Sequence, residues 1–244
     1  MSRFVHFSTI AVYAHSQSLP IDEESPKRPH DTYGMTKLWG EKVAFNFYEK
    51  HNLPLICLRP AVAYGPRGKY VPGMIFAGGL IVRNRGFKSF RLFEGGSHTS
   101  WVHSEDVAGA AVFLLEKDEA IGKAFNISDD TPACASDVLK KMLELYGIKV
   151  TAKGKYHRNI ADRLIKLFAR TPESLDVLLN KRIQKVWDRI VIKYDLEPAL
   201  QPSFTHHLML FFSNDFVISN KRIKDLGYEL RHPDFFKGFD KTAE

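Results

Sequence analysis

The 244-residue chain has only two cysteines, Cys57 and Cys134, and they do not form a CxxC pair. Lone thiols fit a reducing compartment and argue against both a disulfide framework and a cysteine-based zinc site. No apolar run approaches the ~20 residues that span a bilayer as a helix. The opening segment, MSRFVHFST, lacks the apolar stretch of a secretory leader, so a cytoplasmic setting is expected. Internal repeats and low-complexity tracts are absent. Histidine offers little toward a metal: His206 and His207 are adjacent, point apart on a helix or strand, and have no third ligand nearby in sequence. No metal site is expected.

What is present is an ordinary globular composition. Hydrophobic residues make up 44% and charged residues 26%, enough for a sizeable core in one large or two small domains. The net charge of +7 is unevenly spread, because residues 151–200 hold 11 Lys/Arg against 6 Asp/Glu. A basic helical face can approach anionic lipid, an acidic ligand or nucleic acid. A solvated helix surface is the plainer reading. No nucleic-acid motif is present, so no nucleic-acid partner is expected, while peripheral membrane contact through 151–200 stays open.

The pattern of elements alternates. Arg3 to Ser8 reads as a strand, and Gln17 to His30 as a polar loop. Asp31 or Thr32 can cap a helix running to about Lys50. Leu53 to Leu58 is a short buried strand stopped by Pro60, followed by a Gly/Pro-rich loop. Further strands are expected at Ser89 to Phe93 and Ala124 to Ile127, with helices at Ser104 to Leu115 and Ser136 to Tyr146. This alternation is the signature of a parallel sheet with helices on its faces. After Thr151 the apolar residues fall at helical spacing (Ile160, Leu164, Leu167/Phe168; then Ile183, Val186/Trp187, Ile190). Residues 150–212 are therefore expected to form a mostly helical cap. Phe216 to Ile218 reads as a short strand, and Asn220 to Phe239 as a helix, an LGY turn and a last docked segment.

Tyr33 and Lys37 lie four apart, on one helix face. An ammonium beside a phenol favours the phenolate, a usable base. The pair alone is weak, since Tyr and Lys occur four apart by chance in most proteins. Thr9, however, stands 24 residues earlier at a predicted strand end, where its hydroxyl can hold the oxygen that Tyr33 protonates or deprotonates. Leu58-Arg-Pro-Ala-Val-Ala-Tyr-Gly-Pro-Arg67 follows at the next strand end. Ligands of open α/β sheets bind outside such carboxyl ends.

Taken together, S-T-x-x-V-Y, Y-x-x-x-K and L-R-P-x-x-x-Y-G-P-R resemble the extended short-chain dehydrogenase/reductases, which include nucleotide-sugar epimerases and dehydratases and 3β-hydroxysteroid dehydrogenases. Trp101-Val-His-Ser-Glu-Asp-Val-Ala108, Phe125-Asn-Ile-Ser128 and Leu226-Gly-Tyr228 are similar to later landmarks of that family. The resemblance spans residues 3 to about 150 and resumes near 215. It implies Tyr33 as catalytic acid/base, Lys37 on the cofactor's nicotinamide ribose, Thr9 as substrate-orienting residue, and Pro60 and Ala61 beside the nicotinamide of NAD or NADP. The fold it implies is the distal part of a Rossmann-type α/β parallel sheet with a smaller, mostly helical substrate or cap domain. The expected division is 1–128, with 66–100 contributing to the substrate side, and 129–244.

Three departures shape the functional expectation. No GxGxxG or GxxGxxG precedes Tyr33, so the turn that would receive a dinucleotide's pyrophosphate is missing from this sequence. The N-terminal strands of the fold are missing with it, and weak or absent NAD(P) binding is expected for this chain alone. Ile10-Ala11 stand where family dehydratases carry Asp-Glu, and Thr99 stands where sugar-nucleotide enzymes often carry a diphosphate-binding arginine, although His98 is adjacent. These losses favour an oxidoreductase of the 3β-hydroxysteroid dehydrogenase type, acting on a small and less polar secondary alcohol or ketone. A nucleotide-sugar epimerase and a non-catalytic remnant acting as a binding or oligomerisation module are the alternatives. An open sheet edge makes homodimerisation an expectation as well.

Overall fold

In a computed structural model of the chain, the structure describes residues 3–13, 18–68, 71–160, 163, 173–196, 202 and 214–243. Its elements run β1 (Phe4–Phe7), α1 (Thr32–His51), β2 (Leu55–Pro60), β3 (Val62–Tyr64), α2 (Val71–Asn84), β4 (Ser89–Glu94), β5 (His98–Thr99), β6 (Trp101–His103) and α3 (Ser104–Leu115). They continue with β7 (Lys123–Ile127), β8 (Ala133–Cys134), α4 (Ala135–Leu145), β9 (Lys149–Lys155), α5 (Glu173–Tyr194), α6 (Lys221–Asp225) and α7 (Phe235–Ala243). Two compact units result. One gathers residues 1–66, 99–132 and 215–244, the other 67–98 and 133–214.

The first unit is built on a parallel sheet in the order β1-β2-β7. The central strand β2 is buried from Leu55 to Arg59, as expected of a parallel strand covered on both faces. Ile56, Leu58, Phe125 and Ile127 from the sheet join Ala110 and Leu114 of α3 in one core. The pairing Phe4↔Leu55 through Phe7↔Leu58 makes the first two strands parallel neighbours, as the alternation predicts. Strand β3 pairs with β6, also in parallel. The tail returns to this unit through parallel bridges Thr99↔Phe216 and Ile21↔Ile218. The expected short strand at 216–218 is thus a pair of isolated bridges. Phe235 of α7 packs on Trp101 and Tyr64, with ring centroids 4.6 and 4.9 Å away.

Local chemistry sets the ends of α1. The Asp31 carboxylate accepts from the Gly34 N–H at 2.6 Å, satisfying an orphan donor of the first turn. Asn52 closes the helix in the left-handed region at φ 54°, a conformation asparagine tolerates.

The second unit contains a parallel two-stranded ribbon of β4 and β9, with a register shift between Leu92 and Phe93. Helices α2, α4 and α5 accompany it. One buried cluster in it is Ala77, Trp187 and Ile190. A side chain at Gly79 would run into the Tyr146 ring at 2.7 Å, so glycine permits that close approach. Met74, Ile75, Phe90, Leu92, Leu139 and Met142 help to line an apolar recess of about 420 Å³.

Two features differ from the expected layout. The units interleave along the chain, with 67–98 in the second unit and 215–244 in the first, whereas the expected layout is 1–128, with 66–100 contributing to the substrate side, and 129–244. Within 150–212, residues up to Lys155 form a strand, while Glu173–Tyr194 is the expected helix. Leu164, Leu167, Phe168, His206 and His207 lie outside the described residues. No described helix is long and apolar enough to cross a membrane.

Candidate active site

Thr9, Tyr33, Lys37, Pro60 and Ala61 all belong to the first unit. Thr9 stands two residues after β1, and its hydroxyl accepts from the Ala11 N–H at 3.3 Å, opening a short 3-10 turn over Ile10–Val12. Tyr33 and Lys37 occupy the first two turns of α1. A Cβ on Gly34, between them, would collide with the Ala11 carbonyl. Glycine there lets the start of α1 close onto the Thr9–Val12 turn. The Lys37 ammonium lies 5.9 Å from the Tyr33 ring centroid and donates to the Phe7 carbonyl at 3.0 Å. That bond ties it to the carboxyl end of β1 and leaves two of its three N–H donors for a ligand. Tyr33 is 54% exposed, so its phenol is accessible.

Pro60 ends β2 in register with Ile127 of β7, and the Ala61 N–H donates to the Ile127 carbonyl at 2.8 Å. The Thr9 turn and the Pro60-Ala61 segment therefore follow the carboxyl ends of neighbouring parallel strands, where open α/β sheets bind ligands.

A buried polar network lies beneath these residues, and sequence reasoning missed it. Glu41, one helical turn beyond Lys37, receives a two-pronged ion pair from Arg59 with both bonds at 2.8 Å. The same carboxylate accepts from the Ser8 hydroxyl at 2.5 Å. Arg59 also donates to the Tyr13 hydroxyl at 2.7 Å, which donates to Asn126 at 2.8 Å. The Asn126 N–H donates to the Glu23 carboxylate at 2.8 Å. One carboxylate on α1 thus fixes the residue before Thr9 and the residue before Pro60. Burial alone would raise Glu41, but the Arg59 guanidinium and the Ser8 hydroxyl outweigh it and hold the carboxyl below its ordinary value. Burial raises the Tyr13 phenol against the opposing pull of Arg59. Two signals could have revealed the network. Tyr33, Lys37 and Glu41 are spaced at i, i+4 and i+8, and Arg59 interrupts an otherwise apolar strand.

His103, Glu105 and His232 bring ligand-type atoms within 4.8 Å of one another. His103 Nδ1 accepts from the Glu105 N–H at 3.3 Å and so caps α3. His232 Nε2 lies 2.9 Å from the Glu105 carboxylate. The two imidazoles overlap with centroids 3.9 Å apart. Helix capping and ring contact account for the grouping.

A parallel sheet with a Tyr-Lys helix beside its strand ends defines a short-chain dehydrogenase-like protein of Rossmann type. The chain belongs to the NAD dependent epimerase/dehydratase family, whose model matches residues 1–128. It is 30% identical over 149 residues to an uncharacterized UDP-glucose epimerase, YtcB, of Bacillus subtilis, covering 61% of this chain and 46% of that protein. It is 27% identical over 148 residues to the mouse dTDP-D-glucose 4,6-dehydratase, covering 59% of this chain and 40% of the relative. The chain thus spans less than half the length of these relatives. In fold it is similar to a UDP-glucuronic acid 4-epimerase from Bacillus cereus, solved with UDP-glucuronic acid and NAD. The TM-score is 0.61 at 19% identity, covering 99% of this chain and 60% of that one. An epimerase from Methanothermobacter thermautotrophicus gives a TM-score of 0.63 at 18% identity, covering 99% and 58%.

Proposed function

We propose that this chain carries the catalytic part of a nucleotide-sugar epimerase, which uses a bound nicotinamide dinucleotide to interconvert a secondary alcohol and its ketone. The observation that carries this reading is the meeting of the Tyr33-Lys37 helix with the Thr9 turn, next to the strand end that leads into Pro60. The relatives with named activities shift the substrate from the less polar alcohol suggested by the sequence departures toward a nucleotide sugar. Ile10-Ala11, where the resembling dehydratases carry Asp-Glu, favours epimerisation over 4,6-dehydration.

The Lys37 ammonium, with two donors left, and the small Ala61 beside Pro60 fit a nicotinamide riboside. Bound there, a nicotinamide would take up the hydride of the carbinol carbon and return it to the opposite face of the resulting ketone, which inverts that centre. Tyr33 accepts the proton from the sugar hydroxyl and later gives it back to the same oxygen. Thr9 holds that oxygen during both transfers, and Lys37 fixes the ribose. The Glu41–Arg59–Ser8 network keeps α1 and the two strand ends in place.

The test is turnover in a protein extended to the length of its relatives. Tyr33→Phe should lower turnover at least ~10²-fold, the scale of a lost general acid/base. Near-normal turnover would end the assignment. Accumulation of reduced cofactor with a simple alcohol would favour a reductase instead.

The 244-residue chain by itself should bind NAD or NADP weakly or not at all, since it has no glycine turn for the pyrophosphate. Titration calorimetry checks this, and micromolar binding to a monomer would overturn it. The apolar row Met35, Trp39, Val43 and Phe47 along α1 is between 48% and 65% exposed. Such a face is expected to be covered by a second copy. A monomer at tens of micromolar, stable by sedimentation, would count against that.

A further inference from the structure

The two units carry opposite charge. The unit of 1–66, 99–132 and 215–244 has 15 Lys/Arg against 19 Asp/Glu, whereas 67–98 with 133–214 has 20 against 9. A net of +11 in the smaller unit exceeds that of the whole chain, which is +7.

Helix α5 shows how part of this charge is arranged. Its inward face carries Trp187 and Ile190, 4% and 0% exposed, flanked by half-buried Ile183 and Val186. On the opposite side Leu178, Lys181, Lys185, Arg189 and Ile192 follow at steps of three or four, a single helix face. All five are exposed, with Leu178 at 51% and Ile192 at 82%. Arg182 and Lys193 flank the row. Among the described residues, Lys181, Arg182, Lys185 and Arg189 pair with no carboxylate. Asp188, beside them, accepts from Gln184 at 2.7 Å. Burying Trp187 and Ile190 therefore obliges the helix to present cations to the outside, but it does not oblige the sequence to set isoleucine and leucine among them.

We propose that the outer face of α5 docks the protein on a bilayer surface bearing anionic headgroups. Cations alone would suit any polyanion. The apolar side chains at both ends of the row select a surface with an apolar layer just beneath its charge, as an interfacial helix requires. The long lysine and arginine stems add apolar cover while their charges stay at headgroup level. A nucleic-acid backbone offers the charge but nothing for Leu178 or Ile192. The exposed ribbon supports the same polarity, with Arg91, Lys149 and Lys153 on it and Lys153 lying 5.0 Å from the Phe93 ring. The proposal does not rest on the catalytic reading.

The test is co-sedimentation of the 244-residue chain with two kinds of vesicle. One is pure phosphatidylcholine; in the other about a third of the lipid is phosphatidylglycerol. Binding is expected only to the anionic vesicles, and it should weaken as ionic strength rises from about 0.1 to about 0.5 M. The triple variant Lys181→Gln, Lys185→Gln, Arg189→Gln should lose roughly a hundredfold in partitioning, at about fivefold per charge. Ile192→Ser, at a position too exposed to hold the fold, should lose several-fold, with the remainder wholly salt-sensitive. Circular dichroism checks that both variants keep their helix. The proposal is overturned by equal binding to neutral vesicles, by unchanged binding of the triple variant, or by failure to bind either vesicle. It is also overturned if a DNA duplex is bound and anionic vesicles are not.

Discussion

Every buried carboxyl and guanidinium group among the described residues lies in the unit built on the parallel sheet, and the unit built around α5 buries none of its described ones. In the first, Arg59 and Glu41 are 2% and 2% exposed and bonded to each other, and Asp129 is 3% exposed. In the second, the cations of α5 and of the ribbon are exposed, and the cluster of Ala77, Trp187 and Ile190 is apolar. A buried ion pair stabilises little by itself, because desolvation offsets most of the attraction, but losing one partner is costly. The difference implies that charges in the first unit hold a geometry, while those in the second present a surface. Substituting charges in the two units should therefore have very unequal consequences for stability.

The largest effect is expected at Glu41. Glu41→Ala leaves the Arg59 guanidinium buried without its counter-charge, at a cost of about 3–5 kcal/mol. It also frees Ser8 and so the turn that carries Thr9. Urea unfolding measures the loss, and a cost below about 1 kcal/mol would show that water reaches Arg59 readily. In the second unit, Lys185→Ala should change stability by no more than about 0.5 kcal/mol. If the two substitutions cost the same, the contrast between the units fails.

Asp129 sharpens the contrast in the other direction. Burial, opposed by the Trp101 N–H and reinforced by the nearby Asp234, Asp130 and Asp106, pushes its carboxyl up to about 8. Its Oδ2 has no hydrogen-bond partner among the described residues. A carboxyl raised in the folded state favours folding in its protonated form. Its contribution is therefore complete below the unfolded value of 3.8 and is lost as pH rises through about 8. Stability of the wild type should decline across that window. Asp129→Asn should flatten the decline and raise stability by about 1–3 kcal/mol at neutral pH, since the amide needs no ionisation. Thermal melts of both proteins between pH 5 and pH 8 provide the measurement, at about one-unit steps. Parallel curves would mean that Asp129 is solvated.

These residues also mark the limit of what sequence discloses. Asp31 as a cap, the Tyr33-Lys37 spacing and the apolar stretch ending at Pro60 are local signals, and each of those elements lies where its pattern puts it. The pairing of Glu41 with Arg59 is not local, because it exists only once α1 lies on β2. The ribbon strand β9, Lys-Val-Thr-Ala-Lys-Gly-Lys, was hard to see for a different reason. Six of its seven residues are exposed, so it needs none of the apolar alternation by which half-buried strands are recognised. The return of 215–243 to the sheet unit had only a faint local sign in Phe216 to Ile218, which contribute single bridges rather than a strand.

A middle-sized effect is expected at Tyr228, where the tail docks on α3. Its hydroxyl donates to the Asp106 carbonyl at 2.8 Å, and burial pushes the phenol up to about 12. The Asp106 carboxylate in turn accepts from the Arg231 and His232 N–H groups at 2.7 and 2.9 Å. Tyr228→Phe keeps the ring contact with Phe113 and removes one hydrogen bond, for a loss of about 1 kcal/mol. Asp106→Ala removes an acceptor from two backbone donors and should cost more. The reverse order would place the anchoring of the tail in the phenol rather than the carboxylate.

The smallest effect is expected in the ribbon. Phe93 is 48% exposed, and its ring partner is the exposed Lys153. A cation–π contact at such a position contributes little, because water competes for the ammonium. Phe93 also follows the register shift in β4, past which the pairing resumes with Gly154. Phe93→Ser should therefore change unfolding stability by no more than about 0.5 kcal/mol. Ile190→Val, one methylene lost from a site with 0% exposure, should cost about 0.5–1.5 kcal/mol in the same unit. Denaturant titration of the two variants side by side decides the matter. If the exposed phenylalanine proves the more costly, the ribbon is part of a buried core, and its charges do not simply present a surface.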